Sequence, residues 1–265
     1  MDDHAFKEIL CFFGLSFRGY RKVRKGVKKR LVRHMNALGC STVQSYLDHI
    51  TAHPLDLYQC RLCLTVSISR FFRDLLVWET ITSRVLPVFE ASGQSKIRIW
   101  SAGCARGEEA WSMRMIWEKA KTEGLNLPPL HLLATDIHPL YLEAAQSGSY
   151  GRTSVKEVNS ADRTAFFDIQ KGGRRFVVKP LLKPGVTFQR LDLCTELPDH
   201  RFDLIFMRNN ILTYLEDPQR SEVFARVLAQ LRPSGYFVKG AHETIPETSH
   251  SLERVCGGVN VFQNL

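Results

Sequence analysis

Three carboxylates behind two strand patterns set the chemistry open to this chain. Glu108 and Glu109 follow the small-residue turn Ser101-Ala102-Gly103-Cys104, and Asp136 closes the next apolar run, 27 residues beyond Glu109. A strand that ends in glycine and feeds a helix brings backbone N–H groups close to a ligand. Acids at that turn repel a phosphate, so the ligand they suit carries positive charge. An acid ending the second strand accepts hydrogen bonds from ribose hydroxyls. A dinucleotide meets only the second condition. Gly103-Cys104-Ala105-Arg106-Gly107 lacks the full G-x-G-x-x-G spacing, and its acids oppose a pyrophosphate. S-Adenosylmethionine, with a sulfonium, an α-amino group and a ribose, meets both. Plainer readings stand beside this one: first-turn acids complementing the helix macrodipole for Glu108 and Glu109, and a helix cap for Asp136.

Strands must present these residues, and the pattern supplies them. Ile97–Ser101 leads into a helical stretch over Glu108–Lys121, and Leu130–Thr135 into Pro139–Ser147. Phe202–Met207 precedes Pro218–Leu231, and Pro233-Ser234-Gly235 turns into a strand over Tyr236–Lys239. Such alternation predicts a parallel sheet with helices on both faces. Arg175–Val178 and Val186–Gln189 read as a small β excursion, and Val255–Phe262 as a closing hairpin around Gly257-Gly258. Residues 1–90 have helical spacing instead, as in Phe6, Ile9, Leu10 and Phe13, then Val27, Leu31, Met35 and Leu38. His53-Pro54 breaks a helix there, and Leu55–Val66 forms another. The expected organisation is a helical domain over 1–90, a polar linker over 91–96, and an α/β domain over 97–265. An inserted β-subdomain is expected at about 172–190.

Composition narrows the partners. The 265 residues carry 36 basic and 27 acidic side chains, a net charge of +9. Arg18, Arg21, Lys22, Arg24, Lys25, Lys28, Lys29, Arg30 and Arg33 concentrate that charge. Such a density implies an acidic partner, with a merely solvated helix face as the plainer alternative. Nucleic acid ranks below an acidic protein segment, because the chain shows no aromatic single-strand platform and no DNA-binding motif. No apolar run approaches the roughly 18–20 residues of a membrane span. The segment MDDHAFKEIL has no signal-peptide pattern, so a cytoplasmic location is expected. Seven cysteines form no disulfide framework and read as reduced thiols. Cys60-x-x-Cys63 lies in a helical stretch without a second pair, and His242-Glu243 is no metal motif, so no metal is assigned.

Four segments together carry a resemblance. ISRFFRD, RIWSAGCARGEEAWS, ATDIHPLYLEAAQSGSY and FDLIFMRNNILTYL resemble the chemotaxis-receptor methyltransferase (CheR) family, in the same order and at similar separations. The resemblance covers nearly the whole chain. It implies a Rossmann-like α/β S-adenosylmethionine-dependent methyltransferase sheet, a small inserted β-subdomain and an all-α N-terminal domain. The implied reaction is O-methylation of a protein glutamate, giving a methyl ester. Carried over by motif, Ala102 and Gly103 form the turn under the methionine moiety, and Glu109 faces its amino group. Asp136 binds the ribose, with Ile137 among the cofactor contacts, and Asp192 and Leu193 lie near the adenine. Arg208 and Asn209 line the floor of the site. Arg73 reaches over the cofactor towards the acceptor, and Ser67 and Ser69 stand where the family has N-x-T. Residues 18–33 are implied to read an acidic protein substrate, such as a chemoreceptor cytoplasmic helix.

The chain also departs from the family. An ungapped reading puts Thr213 where the chemotaxis enzymes have an active-site tyrosine, with Tyr214 one residue later. Arg73, Arg208, Thr213 and Tyr214 are therefore the catalytic candidates. Tyr214 has a packing role as its plain alternative, and Arg208 with Asn209 a turn at a strand end. Gly240-Ala241-His242-Glu243 replaces the family's G-H-S-E. Two further readings stay open: a CheR-like methyltransferase with another peptide or a small-molecule acceptor, and a regulatory module that senses S-adenosylmethionine without turnover.

Overall fold

A computed structural model describes residues 1–170, 172–247 and 251–265. They form two compact units, Met1–Val66 with Asn209–Glu222, and Ser67–Arg208 with Val223–Leu265.

The first unit is helical. Helix α1 spans Asp3–Phe12, α2 Arg24–Ala37, α3 Val43–Ala52 and α4 Pro54–Leu64. Asp2 caps α1 by accepting from the Ala5 N–H at 2.8 Å, and Thr42 and Ser45 form a reciprocal capping box on α3. Pro54 starts α4 directly after α3, because proline fits a first turn that has no use for its missing N–H. Phe6, Ile9, Leu10, Tyr20, Val27, Leu31, Tyr46, Ile50 and Leu64 meet in its core. Residues 209–222 join this unit through chain pairing. The Ser16 N–H donates to the Tyr214 carbonyl at 2.7 Å and the Glu216 N–H to the Gly14 carbonyl at 2.9 Å. Gly19 is required at this junction, since a Cβ there would lie 2.2 Å from the Thr213 carbonyl oxygen.

The second unit holds the sheet. Helices α5 (Leu75–Thr80) and α6 (Leu86–Ala91) are joined by a π turn over Ile81–Val85, where Pro87 offers no N–H to the preceding turn. Strands β1 (Ile97–Ala102) and β2 (Leu130–Asp136) follow, separated by α7 (Glu108–Thr122), and then α8 (Pro139–Ser147). A separate three-stranded antiparallel sheet comprises β3 (Ser149–Gly151), β4 (Phe167–Gln170) and β5 (Arg175–Val178), with α9 (Ser160–Phe166) before β4. Strands β6 (Val186–Arg190) and β7 (Phe202–Met207) return to the main sheet. Helix α10 (Gln219–Leu228) enters this unit at Val223, and β8 (Leu231–Lys239), β9 (Leu252–Arg254) and β10 (Val261–Asn264) complete it. The main sheet runs β6-β2-β1-β7-β8-β10-β9, parallel from β6 to β8 and antiparallel beyond. The chain winds outward from β1 on one side through β2 and β6, then restarts at β7 on the other. That reversal makes a switch point beside the carboxyl end of β1, where such sheets bind ligands.

Three boundaries differ from the sequence expectation. Residues 91–96 are no interdomain linker: Gln94 accepts from Arg232 at 2.7 Å, and the division falls at 66/67. The β-subdomain lies at 149–178 rather than 172–190, because Val186–Arg190 pairs in parallel with β2 as the main sheet's edge. Residues 209–222 leave the α/β domain for the helical unit. Among the described residues no helix is long and apolar enough to cross a membrane.

Candidate active site

The turn after β1 is shaped by backbone geometry. Gly103 and Gly107 take φ of +86° and +88°, where side chains are disfavoured, and Ala105 between them takes +49°. The Gly103 and Cys104 N–H groups both donate to the Thr135 carbonyl at 2.8 Å, which locks the turn to the end of β2. A Cβ on Gly107 would meet the Ala145 Cβ at 2.7 Å, so α7 and α8 close on this loop only with glycine there. Asp136 accepts from the Ala105 N–H and the His138 N–H, each at 2.9 Å, and so ties the loops after β1 and β2 together. Burial pushes its carboxyl above the ordinary value, and those N–H groups oppose the shift. The buried Cys104 thiol is also pushed well up by burial, which makes it inert.

Arg208, one residue past β7, organises the acids around this turn. Its side chain is 3% exposed. Nη1 donates to Glu109 Oε2 at 3.2 Å, while Nη2 donates to Asp74 Oδ2 at 2.6 Å and to the Arg73 carbonyl at 3.0 Å. The other Glu109 oxygen accepts from the Ser101 hydroxyl at 2.7 Å. Burial raises the Glu109 carboxyl, and the Arg208 charge pulls it back down. The guanidinium also lies 6.0 Å from the Trp78 ring, whose indole N–H donates to the Arg73 carbonyl at 2.9 Å.

The strap Ser67–Asp74 is held from several sides. The Phe71 N–H donates to the Ser154 carbonyl and the Phe72 N–H to the Ser112 hydroxyl, each at 3.0 Å. The Phe71 ring packs edge-on against Tyr150 and Phe167 of the small sheet. Phe72 and Asp74 take φ of +51° and +61°, strained conformations on either side of Arg73. The Arg73 guanidinium donates to the Ile68 carbonyl at 2.8 Å, and its charge reaches Glu109. Ser69 hydrogen-bonds the buried Glu108 carboxylate, as does Ser154 at 3.3 Å, and burial raises that carboxyl too.

The sheet therefore brings together Ala102, Gly103, Glu109, Asp136, Ile137 and Arg208 at the ends of β1, β2 and β7, with the Ser67–Arg73 strap tied to Arg208. Asp192 and Leu193 follow β6; Asp192 accepts from the Cys194 N–H at 3.0 Å, and Leu193 is buried. Asn209, Thr213 and Tyr214 belong to the helical unit. Asn209 takes φ of +57°, and the Tyr214 ring lies 4.8 Å from Tyr20 against the helical core, which is the packing alternative. Sequence reasoning missed Asp74, Ser101 and Ser154. Asp74 directly follows Arg73, yet nothing in the spacing shows that Arg208 would reach it.

The donor set fits S-adenosylmethionine. A carboxylate offers about four acceptor positions. Asp136 uses some on backbone N–H groups and Glu109 some on Ser101 and Arg208, which leaves each able to accept from a hydroxyl or an ammonium. Glu109 and Asp136 would hold the amino group and the ribose.

The "Uncharacterized 104.1 kDa protein in hypE 3'region" of Rhodobacter capsulatus is 26% identical over 97% of the chain, which spans only 27% of that protein. A Listeria innocua chemotaxis protein methyltransferase is 28% identical, with 88% of this chain and 85% of that one covered. Chemotaxis protein methyltransferase 1 of Pseudomonas aeruginosa is 30% identical, with 83% and 81% covered. The model of the family described as CheR methyltransferase, SAM binding domain, matches residues 67–260. The chain belongs to that family, and S-adenosylmethionine is the cofactor of its sheet.

Proposed function

We propose that the protein transfers a methyl group from S-adenosylmethionine to glutamate carboxylates of an acidic protein segment, of chemoreceptor type, in the cytoplasm. The observation that carries this reading is the buried Glu109–Arg208 pair at the β1 turn, one strand from Asp136. The bound cofactor supplies a methyl carbon on a positively charged sulfur. Glu109 accepts from its amino group and Asp136 from its ribose, with Ala102, Gly103, Ile137, Asp192 and Leu193 completing the contacts. Ser67, Ser69 and Asn209 are assigned cofactor contacts on the resemblance.

A glutamate acceptor has an ordinary pKa of about 4.3 and is already ionised, so the site needs no base. Its task is alignment and exclusion of water. Arg73 orients the acceptor carboxylate through its planar fork, which a lysine cannot imitate. Thr213 stands in sequence at the position of the family's tyrosine and is the acceptor-side candidate. Tyr214 is left to packing.

Residues 18–33 support an acidic protein partner. Arg18, Arg21, Lys22, Lys25, Lys29 and Arg33 are exposed. Arg24 and Lys28 pair with Asp3, and Arg30 with the Cys63 and Thr65 carbonyls, so those three serve the fold. The spacing of the seven cysteines, an odd number spread along the sequence without a disulfide framework, supports a reducing compartment. Incubation with methyl-labelled cofactor and an acidic receptor helix tests the reading. Alkali-labile label on the helix supports it; alkali-stable label sinks the carboxylate acceptor.

A further inference from the structure

We propose that His49, His53 and Asp56 form a binding site for a divalent ion of the zinc class in the helical unit. His49 lies in the last turn of α3 and His53 follows four residues on, so both imidazoles leave the same helix face. Their rings stack with centroids 4.1 Å apart and planes 14° apart. Pro54 opens α4 with no intervening loop, and that brings Asp56, in its first turn, to the same corner. His49 Nε2 lies 2.8 Å from Asp56 Oδ2.

One donor atom from each of the three residues lies within 4.8 Å of the others. Zinc bonds of about 2.0–2.2 Å in a tetrahedral set separate donors by about 3.3 Å, so a small rotation of the exposed His53 ring closes the site. The tautomer of His53 suits that role. Its Nδ1 lies 2.8 Å from the His49 carbonyl oxygen, which can only accept, so Nδ1 carries the hydrogen and Nε2 keeps a lone pair. The metal takes the place of the hydrogen between His49 Nε2 and Asp56, and that hydrogen is exchanged through solvent to His49 Nδ1, so the ligand stays a neutral imidazole.

Two imidazoles and a carboxylate suit zinc better than magnesium or calcium, which take oxygen ligands. The thiols nearby compete poorly. Burial pushes the Cys60 thiol up to about 12, and raises that of Cys63. Bound there, the ion clips the end of α3 to the start of α4.

Zinc titration of the full chain against a chromophoric chelator tests the proposal, with thermal unfolding as a second readout and no methyl transfer involved. Wild-type protein is expected to bind a single equivalent and unfold at higher temperature with zinc. His53→Ala, at an exposed position, and Asp56→Asn each weaken binding by about tenfold or more and lose the thermal shift. A Cys63→Ser control binds as the wild type does. No saturable binding, affinity unchanged in His53→Ala, or binding lost in Cys63→Ser would each overturn it.

Discussion

Arg208 pairs with Asp74 and Glu109, and it offsets the burial of Glu109, whose side chain is only 14% exposed. Replacing it with methionine removes one partner of a buried network and leaves Glu109 uncompensated. Such losses cost about 3–5 kcal/mol, so Arg208→Met is expected to unfold at markedly lower denaturant concentration and to lose cofactor binding. Calorimetry alongside a urea titration measures both. Arg73 behaves differently, since its side chain is half-buried and its guanidinium donates to the Ile68 backbone carbonyl. Arg73→Lys keeps the charge but not the fork, and steady-state kinetics should show most turnover lost with only a modest change in cofactor affinity. Unchanged turnover would remove Arg73 from the mechanism.

The acids also set a pH dependence. Burial holds the Glu108, Glu109 and Asp136 carboxyls above their ordinary values. The folded chain therefore keeps protons that the unfolded chain has lost. The stability penalty is full above the raised values and is relieved as pH falls through them. A cationic cofactor favours the ionised acids, so its affinity should fall as pH drops from neutral towards the ordinary glutamate value of about 4.3. Calorimetry across that range is expected to show proton release on cofactor binding at the low-pH end, and a Glu109→Gln variant should flatten the profile. The convergence of Glu108, Glu109 and Asp136 was legible from spacing, because acids at two strand ends meet in a doubly wound sheet, whereas the choice of Glu109 over Glu108 rested on the family resemblance. Asp74 and Ser154 were not legible, because their partners are distant in sequence and only the folded strap brings them close.

At the scale of elements, the strand–helix alternation was readable and the assignment of segments to units was not. Periodicity reports which face of an element is apolar but not which neighbour covers it. So Val186–Arg190 read as part of an insertion, although it pairs with β2, and residues 209–222 read as α/β although their backbone pairs with Gly14 and Ser16. Two glycines test these placements. Gly107→Ala puts a Cβ into Ala145 at a positive φ, and should lower both stability and cofactor affinity. Gly19→Ala forces the 13–20 segment away from Thr213. Overpacking of this kind costs about 1–3 kcal/mol, and hydrogen exchange should show lost protection at Ser16 and Glu216 while the β1 and β2 amides stay protected.

For the whole molecule, the charge of +9 and the exposed cations of residues 18–33 act at long range. Binding of an acidic helical segment should weaken steeply with added salt, while cofactor affinity at the buried acids changes little. Charge reversal at Lys25 and Lys29 should reproduce the first effect without the second, read by fluorescence anisotropy of a labelled acidic helix. The helical corner of His49, His53 and Asp56 escaped the sequence reading because Asp56 belongs to a different helix, and only the direct α3–α4 joint brings it across.

The central claim is that the chain makes a methyl ester on a protein glutamate. Peptide mass spectrometry of an acidic receptor helix, after incubation with the protein and S-adenosylmethionine, tests it most directly. The expected result is a methyl group on glutamate side chains that mild base removes, much reduced when Arg73→Lys replaces the wild type. A base-stable methyl group, or none while the cofactor still binds, would contradict it.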